Sequence, residues 1–249
     1  MKNHTINKLT DGISNGISEM FAPTCRCLVC GKDVFDGTGF CADCSSDAVY
    51  NNGKTCVRCG VGIDGEEEYC GNCAFDKIYF DKAYSVFSYE GAVQKAILSM
   101  KFNNLASYAK VFASYLVFMA QKFNLNYDLV TFAPMSRKAF TKRRYNQAEM
   151  LAKHFCLLQD KDSMLVEAIV KTKETSAQEQ LSKAERKTNL IDAYSINADV
   201  RGMRMLVIDD VKTTGATLNE CAKVLKNAGA TAVYGLTVAA RRERFDYEQ

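Results

Sequence analysis

Hydrophobic and polar positions change their period along the chain, and from residue 79 onward they describe alternating strands and helices. Apolar runs that alternate with polar residues or continue unbroken predict four strands: "KAYSVFSYEG", "YDLVTFAPM", "RMLVIDD" and "ATAVYGLTVAAR". Apolar positions three and four residues apart predict four helices: "AVQKAILSMKF", "LASYAKVFASYLVFMAQKF", "YNQAEMLAKHFCLL" and "ATLNECAKVLKNAG". The run "MLVEAIVKT" fits either a strand or a helix. This order predicts an α/β fold with a doubly wound, mostly parallel sheet over residues 79–249.

Two segments precede this domain. In residues 1–24, apolar residues between Ile6 and Ile17 are spaced by three and four, which predicts a short amphipathic N-terminal helix. Residues 25–75 are rich in Cys, Gly and Asp and contain no long apolar run. A segment of this size cannot bury a sufficient core of its own, so it needs another source of folding energy.

The cysteines of residues 25–75 are spaced like metal ligands. The chain has 11 cysteines, and eight of them form two copies of the pattern Cys-x2-Cys-x10-Cys-x2-Cys: Cys27, Cys30, Cys41 and Cys44, then Cys56, Cys59, Cys70 and Cys73. Two such pairs complete a tetrahedral four-thiolate zinc site, and glycines at 31, 60 and 71 suit the positive φ of the turns between ligands. Four thiolates leave no open coordination position, so we expect a zinc-binding module with one or two structural Zn²⁺ ions.

The spacing leaves the pairing of these ligands open. The quartets are either sequential or interleaved, with sequential quartets the simpler arrangement. Cys25 is an alternative ligand to Cys27.

The formal charge and the expected compartment depend on the same cysteines. The formal net charge is +3, and two four-thiolate zinc sites would each add −2, which brings the balance to −1. Global charge therefore indicates no nucleic-acid partner, and any anion site must be local. No apolar run reaches the ~18 residues of a transmembrane helix, and the first 24 residues lack the apolar core of a secretory signal. We expect a cytoplasmic protein in which thiols stay reduced.

An acidic and hydroxyl-rich loop follows the most apolar strand. Asp209 and Asp210 come directly after the run Leu206–Ile208, and the residues before the next helix are Lys212, Thr213, Thr214, Gly215, Ala216 and Thr217. Open α/β sheets bind ligands at the carboxyl ends of their strands, and a helix start attracts phosphate. Carboxylates would repel that phosphate unless they contact hydroxyl groups or a divalent cation. A sugar phosphate meets both requirements.

Several segments together resemble the ComF family of competence-associated proteins, whose relatives include GntX-type proteins. The segment "LVIDDVKTTGATL" is similar to the phosphoribosyl pyrophosphate (PRPP) motif of type I phosphoribosyltransferases. The segments "FAPMSRKAFTKRRYNQAEMLA" and "TSAQEQLSKAERKTNLIDAY" resemble the family's Arg-rich loop with its Asn-Gln-Ala helix start and its Gln-x2-Leu-Ser-x2-Glu-Arg-x2-Asn signature. The cysteine pairs and "YEGAVQKAILSMKF" also fit. In one departure, Arg144 stands where the family usually has Gly.

The resemblance implies a type I phosphoribosyltransferase-like fold with a PRPP site. Asp209 and Asp210 would bind the ribose hydroxyls, directly or through Mg²⁺, and residues 212–217 would bind the 5′-phosphate. Glu185 and Arg186 would belong to a lid over the pyrophosphate. The candidate catalytic residues are therefore Asp209, Asp210, Glu185 and Arg186.

The Arg-rich segment is the candidate pyrophosphate site, and its candidate residues are Ser136, Arg137, Lys138, Arg143, Arg144, Asn146 and Gln147. With Lys142, it places five cations within eight residues. Guanidinium groups match phosphate oxygens. The same cations would also suit a nucleic-acid backbone or a solvated face.

Two functions remain open on the sequence alone. The first is an enzyme, a pentosyltransferase that displaces pyrophosphate from PRPP with the help of Mg²⁺ and uses an unknown acceptor. The second is a catalytically inactive competence factor that uses the fold to bind or sense a ligand, while the zinc module and the basic loop contact single-stranded DNA. Both suit a role in DNA uptake together with other competence proteins.

Overall fold

The computed structural model describes residues 25–102, 108–173 and 193–242. The predicted helix within residues 1–24 lies outside the described residues, as do Glu185 and Arg186.

The helices and strands of the described residues follow the order that the pattern predicts. In chain order they are β1 (Cys25–Arg26), β2 (Asp33–Val34), α1 (Ala42–Ser45), α2 (Gly71–Phe75), β3 (Lys82–Ser88), α3 (Gly91–Phe102), α4 (Tyr108–Lys122), β4 (Leu129–Phe132), α5 (Arg137–Arg143), α6 (Gln147–Leu157), a 3-10 turn (Asp162–Met164), β5 (Ile169–Lys171), β6 (Tyr194–Ile196), β7 (Arg204–Lys212), α7 (Ala216–Asn227) and β8 (Ala232–Ala240). None of these helices has the length and apolar character that crossing a bilayer requires.

The four predicted strands form one parallel sheet. Their order is β3-β8-β7-β4, and each neighbouring pair is parallel. Residues 205–208 of β7 are fully buried because other elements cover both faces of the sheet, as a parallel sheet requires. The doubly wound parallel sheet that the sequence predicts is confirmed.

The two faces of the sheet have separate cores. Leu206 and Ile208 pack on the side of α3, α4 and α6. Met205 and Val207 pack on the opposite side, under α7. This division follows from the period of two along a strand, which sends successive side chains to opposite faces.

Residues 25–75 pack against the sheet domain on both faces. The first half places Leu28 and Phe40 in the core that contains α4, and the Tyr115 hydroxyl of α4 donates to the Thr38 carbonyl at 2.7 Å. The second half places Val61 and Ile63 in the core that contains α7. The segment thus contributes apolar side chains to cores that the larger domain builds.

Besides the short elements of residues 25–75 and the 3-10 turn, helix α5 and strand β6 were not predicted, and both have physical reasons. The Arg-rich segment contains a helix, α5, rather than only a loop, because Ser136 caps it: the Ser136 hydroxyl accepts from the Ala139 amide at 3.2 Å. Strand β6 pairs antiparallel with β5, which identifies "MLVEAIVKT" as a turn followed by a strand. Strands β5 and β6 have three residues each, which are too few to show an alternation of apolar and polar residues in the sequence.

The glycines after cysteines behave in two ways. Gly31 and Gly60 have the predicted positive φ, 75° and 65°. Gly71 does not, so its prediction was wrong: it begins helix α2, which starts directly after Cys70.

Gly235 gives a test of the contact between α7 and the sheet. A Cβ at this position in β8 would stand 3.0 Å from the Ala83 Cβ and collide with the Leu218 side chain. We expect Gly235→Ala to lower the free energy of unfolding by about 1–3 kcal/mol, measured by urea denaturation, because it overpacks a closed core.

Gly53→Ala is the control for this substitution. Nothing lies within 4 Å of the Cβ that it adds. Its stability should stay the same or rise by less than about 1 kcal/mol. Equal stability of both variants would contradict the close packing of α7 on β8.

Candidate functional site

A cleft of about 430 Å³ opens at the carboxyl end of the parallel strands. It is lined by the end of β7, the loop that follows β7, the segment between β4 and α6, and residues from β5, β6 and the end of β8. Its polar and charged lining residues are Tyr89, Lys101, Ser136, Arg143, Asn146, Gln147, Lys171, Tyr194, Asp209, Asp210, Thr213, Thr217 and Arg241.

Asp209 and Asp210 enter this cleft from different faces of the sheet. Asp209 continues the side of β7 that faces α7, and Asp210 continues the side that faces α3. An Asp209 carboxylate oxygen accepts from the Asp210 amide at 2.8 Å, and one of Asp210 accepts from the Val211 amide at 2.6 Å. Burial, with the neighbouring Asp210 charge, raises the pKa of Asp209 to about 8.

Lys101 is a residue of the cleft that the sequence analysis missed. Its Nζ lies 3.0 Å from an Asp210 carboxylate oxygen, and the two side chains are 11% and 12% exposed. Burial alone would lower the pKa of Lys101, but Asp210 beside it raises that pKa above its ordinary value. Lys101 lies in the last turn of helix α3, far from Asp210 in sequence, and no local pattern distinguishes it from a surface lysine.

The loop after β7 turns sharply before α7 begins. Gly215 has φ 79°, which a residue with a side chain rarely adopts, and the Thr214 hydroxyl accepts from the Ala216 amide at 3.3 Å. Thr213 and Thr217 line the cleft with the two acids. Thr214, Gly215 and Ala216 also border a second pocket, on the side of the cysteines.

The Lys212 side chain points away from the cleft. It is 5% exposed and borders the second pocket together with Cys59 and Cys73. Burial would lower the pKa of Lys212, but the thiolates of Cys59, Cys70 and Cys73 raise it. Lys212 does not line the cleft, but it borders a small pocket together with Asp209, Thr213 and Thr217.

The cations of the Arg-rich segment are divided between surfaces. Arg143 and the capping residue Ser136 line the cleft. Arg137 lines an adjacent groove together with Phe140. Lys138 is exposed, as are Lys142 and Arg144.

Asn146 and Gln147 are buried where α6 begins. The Asn146 side-chain oxygen accepts from the Ala148 amide at 3.0 Å, and its nitrogen donates to the Ala133 carbonyl at 3.0 Å. Asn146 therefore fixes the helix start against the end of β4. The Gln147 side-chain nitrogen has no hydrogen-bond partner in the described part of the chain and lies beside the cleft. A ligand oxygen would satisfy it.

The eight cysteines form two sequential quartets, which answers the question that the spacing left open. The first quartet is Cys27, Cys30, Cys41 and Cys44, and the second quartet is Cys56, Cys59, Cys70 and Cys73. Within each quartet, the sulfur atoms all lie within 4.8 Å of one another, which fits four thiolates around one tetrahedral ion. Cys27 belongs to the first quartet.

Two family models match the chain. Residues 17–74 match the double zinc ribbon domain, and residues 148–246 match the phosphoribosyl transferase domain. The two quartets within the ribbon match are structural zinc sites, because closed four-thiolate sites leave no position for a substrate.

Curated relatives with similar sequences carry names linked to DNA use and competence. The chain is 35% identical over 108 residues to DNA utilization protein YhgH of Escherichia coli K12, which covers 43% of this chain and 46% of that protein. It is 35% identical to competence protein F of Haemophilus influenzae over 39% of this chain and 44% of that one. It is 25% identical to competence protein ComFC of Streptococcus pneumoniae over 84% of this chain and 96% of that one. The matches thus span about half of the first two relatives and most of the third.

Solved structures of two enzymes have a local likeness to this chain. An allosteric regulatory enzyme of purine biosynthesis aligns with a TM-score of 0.35 and 21% identity, over 52% of this chain and 25% of that chain. A hypoxanthine phosphoribosyltransferase from Staphylococcus aureus aligns with a TM-score of 0.35 and 14% identity, over 57% and 71%. TM-scores this low carry no conclusion about function.

Arg144 ends helix α5 in a left-handed conformation, with φ 65°. This geometry explains why a glycine suits the position.

We expect Arg144→Gly to raise the free energy of unfolding by about 0.5–1 kcal/mol, because the relief of left-handed strain exceeds the extra chain entropy of Gly. Thermal denaturation measures the change. Arg144→Ala is the control, since it removes the charge but keeps the strain, and an equal gain with Ala would point to charge instead.

The two quartets give a prediction for metal content. We expect two Zn²⁺ ions per chain by elemental mass spectrometry, and one ion after the double substitution Cys27→Ser and Cys30→Ser, because each quartet is self-contained. Cys156→Ala should retain both ions, since Cys156 is buried in α6 outside the quartets. Loss of both ions from the double variant would contradict independent sites.

Proposed function

The chain belongs to the ComF family of competence-associated proteins, and from this premise we propose that it binds PRPP with Mg²⁺ in the cleft at the end of β7. The bound ligand would be used for phosphoribosyl transfer or sensed, and either use would support DNA uptake.

The charge arrangement of the cleft is the observation that carries this proposal. Two carboxylates, Asp209 and Asp210, stand among four cations that line the same cleft: Lys101, Arg143, Lys171 and Arg241. A simple phosphate would be repelled by the acids, and a neutral sugar would gain no charged hydrogen bond from the cations. A sugar that carries phosphates satisfies both sets of groups.

The two acids would have different roles. Asp210 is already paired with Lys101, so Asp209 is better placed to accept hydrogen bonds from the ribose hydroxyls. Mg²⁺ binds proteins through one or two carboxylates and completes its coordination with substrate phosphates and water. Asp209 and Asp210 fit that donor set, and the ion would neutralise the pyrophosphate group.

The phosphates would bind on either side of the acids. The Thr213 and Thr217 hydroxyls line the cleft, and together with the first amides of α7 they would hold the 5′-phosphate. Arg143 and the unsatisfied Gln147 amide would face the pyrophosphate from the other side. Glu185 and Arg186, which lie outside the described residues, remain candidates for closing the site.

In the transferase form of this proposal, pyrophosphate leaves the anomeric carbon of ribose as an acceptor attacks. The cations of the cleft would stabilise the charge that develops on the departing pyrophosphate. The acceptor remains to be identified by experiment.

A second candidate function rests on the exposed side of α5. Lys138, Lys142 and Arg144 are exposed there, and the Phe140 ring among them is 48% exposed. Exposed cations beside an aromatic ring suit single-stranded DNA, whose bases stack on aromatic side chains. In that case the protein would bind DNA without transferring a phosphoribosyl group.

Titration calorimetry with PRPP and Mg²⁺ tests the main proposal. We expect Asp209→Asn to weaken PRPP binding by roughly 10- to 100-fold, because bound Mg²⁺ would keep Asp209 ionised and the substitution removes this charged acceptor from the ribose hydroxyls. The control is Asp199→Asn, which removes an exposed carboxylate paired with Arg201 before β7 begins. Zinc-replete, folded wild type without measurable PRPP affinity would refute the proposal.

Two further measurements separate the candidate functions. Release of pyrophosphate from PRPP with a panel of acceptors would support the transferase. Salt-dependent binding of single-stranded DNA that is lost in Lys138→Glu with Lys142→Glu, but kept in Asp209→Asn, would support the DNA-binding function.

A further inference from the structure

The second quartet lies next to the loop that follows β7, and we propose that Lys212 is the counter-charge of the zinc site in this quartet. Through Lys212, the conformation of residues 213–215 would be coupled to the metal. Lys212 is then a positioning residue and not a phosphate ligand. The consequence for ligand binding rests on the proposed function, whereas the link between Lys212 and the zinc site does not.

The first step in the argument is the charge of the buried quartet. Zn²⁺ with four thiolates carries a net charge of −2. The four cysteines of the second quartet are between 0% and 7% exposed. A charge in such a place requires a nearby cation, because burial removes it from water. Lys212, itself buried, lines the same pocket as Cys59 and Cys73 and supplies that cation.

Other cations near the quartet are less suited to this role. Arg58 lies between two ligands in sequence, but its guanidinium stands over the Tyr69 ring, 5.7 Å from its centre. Lys77 is exposed and stands over the Tyr79 ring at 5.1 Å.

The first quartet offers a comparison within the same protein, because its cysteines are more exposed than those of the second quartet. Cys30 is exposed, and Cys41 and Cys44 are partly exposed. The cation next to this quartet is Lys32, whose side chain is 66% exposed and pairs with Asp43 at 2.9 Å. Water can compensate the charge of that site, so the first quartet does not need a buried cation.

The second step is the contact between the Lys212 side chain and the turn. A Cβ at Gly215 would lie 3.2 Å from Lys212 Cε. The aliphatic part of Lys212 therefore packs directly against the turn at Gly215, while its ammonium reaches the quartet. One side chain thus contacts both the turn and the metal ligands.

The third step is that the quartet holds the loop and α7 through further hydrogen bonds. Asn72, which lies between the ligands Cys70 and Cys73, donates to the Thr214 carbonyl at 3.3 Å. The Asn219 side chain of α7 donates to the Lys77 carbonyl at 2.9 Å and accepts from the Tyr79 amide at 2.8 Å. The segment that follows the quartet is therefore attached to the first turns of α7, where the phosphate is proposed to bind.

Zinc competition on Lys212→Met tests the proposal. Methionine keeps the aliphatic stem against Gly215 and removes the charge. We expect the second quartet to lose roughly 10- to 100-fold in zinc affinity, the usual effect of removing a group that supports metal ligands. A chelator titration followed by alkylation and peptide mass spectrometry identifies which cysteines become reactive. The first quartet should be unaffected.

Lys32→Met is the matched control at the first quartet. Because Lys32 is exposed, its loss should change zinc affinity by less than about threefold at either site. Unchanged zinc affinity of the second quartet in Lys212→Met would overturn the proposal.

PRPP binding by Lys212→Met is the second measurement. It distinguishes a positioning role of Lys212 from direct binding of a phosphate. In zinc-saturated protein, we expect Lys212→Met to bind PRPP with Mg²⁺ as wild type does. A loss of about tenfold or more, as expected when a phosphate loses a charged partner, would make Lys212 a phosphate ligand and overturn the proposal. If wild type binds no PRPP, the proposed function fails, and the zinc measurement still decides the role of Lys212.

Hydrogen exchange on wild type covers the case in which Lys212→Met does not fold. We expect the amides of residues 213–217 to become more protected as zinc fills the second quartet, at constant occupancy of the first. Protection that does not change with that occupancy would refute the coupling.

Discussion

Strand β7 imposes the constraint on which the rest of the structure depends: directly after its fully buried residues 205–208 it carries three ionisable side chains, Asp209, Asp210 and Lys212. Burial makes each of these charges costly unless a partner compensates it. The structure supplies a different partner for each one. Asp209 accepts from a backbone amide, Asp210 pairs with Lys101, and Lys212 reaches the cysteines of the second quartet. The elements that surround the strand end are those that provide these partners.

The same constraint explains how the small cysteine-rich segment and the sheet domain fit together. A parallel sheet must be covered on both faces. Helices α3, α4 and α6 cover one face, and α7 covers much of the other. The second quartet and its apolar neighbours extend the cover beside α7 and bring a metal site close to the loop that follows β7. The zinc segment therefore packs against a loop that also borders the cleft.

The sequence predicted what local patterns encode. Strands β3, β4, β7 and β8 and their helices have clear periods, and the doubled cysteine spacing indicates zinc. It did not predict Lys101 beside Asp210, because that contact joins residues far apart in the chain. It also could not predict where Lys212 points. Val211 packs on the α3 side of the sheet, and Lys212 packs on the opposite side. After Asp210, the alternation of side chains between the two faces of the sheet is therefore shifted by one residue. Residue type alone does not signal such a shift.

The unequal exposure of the two quartets implies an order in which the molecule comes apart. An oxidant reaches Cys30 and its neighbours before it reaches the enclosed sulfurs of the second quartet. Damage would thus begin at the ribbon that packs on α4, and Tyr115, whose hydroxyl donates to Thr38, would lose cover there first. A chain damaged in this way would tend to aggregate while the cleft at the end of β7 was still intact, so its lifetime in a cell would be set by its more exposed metal site.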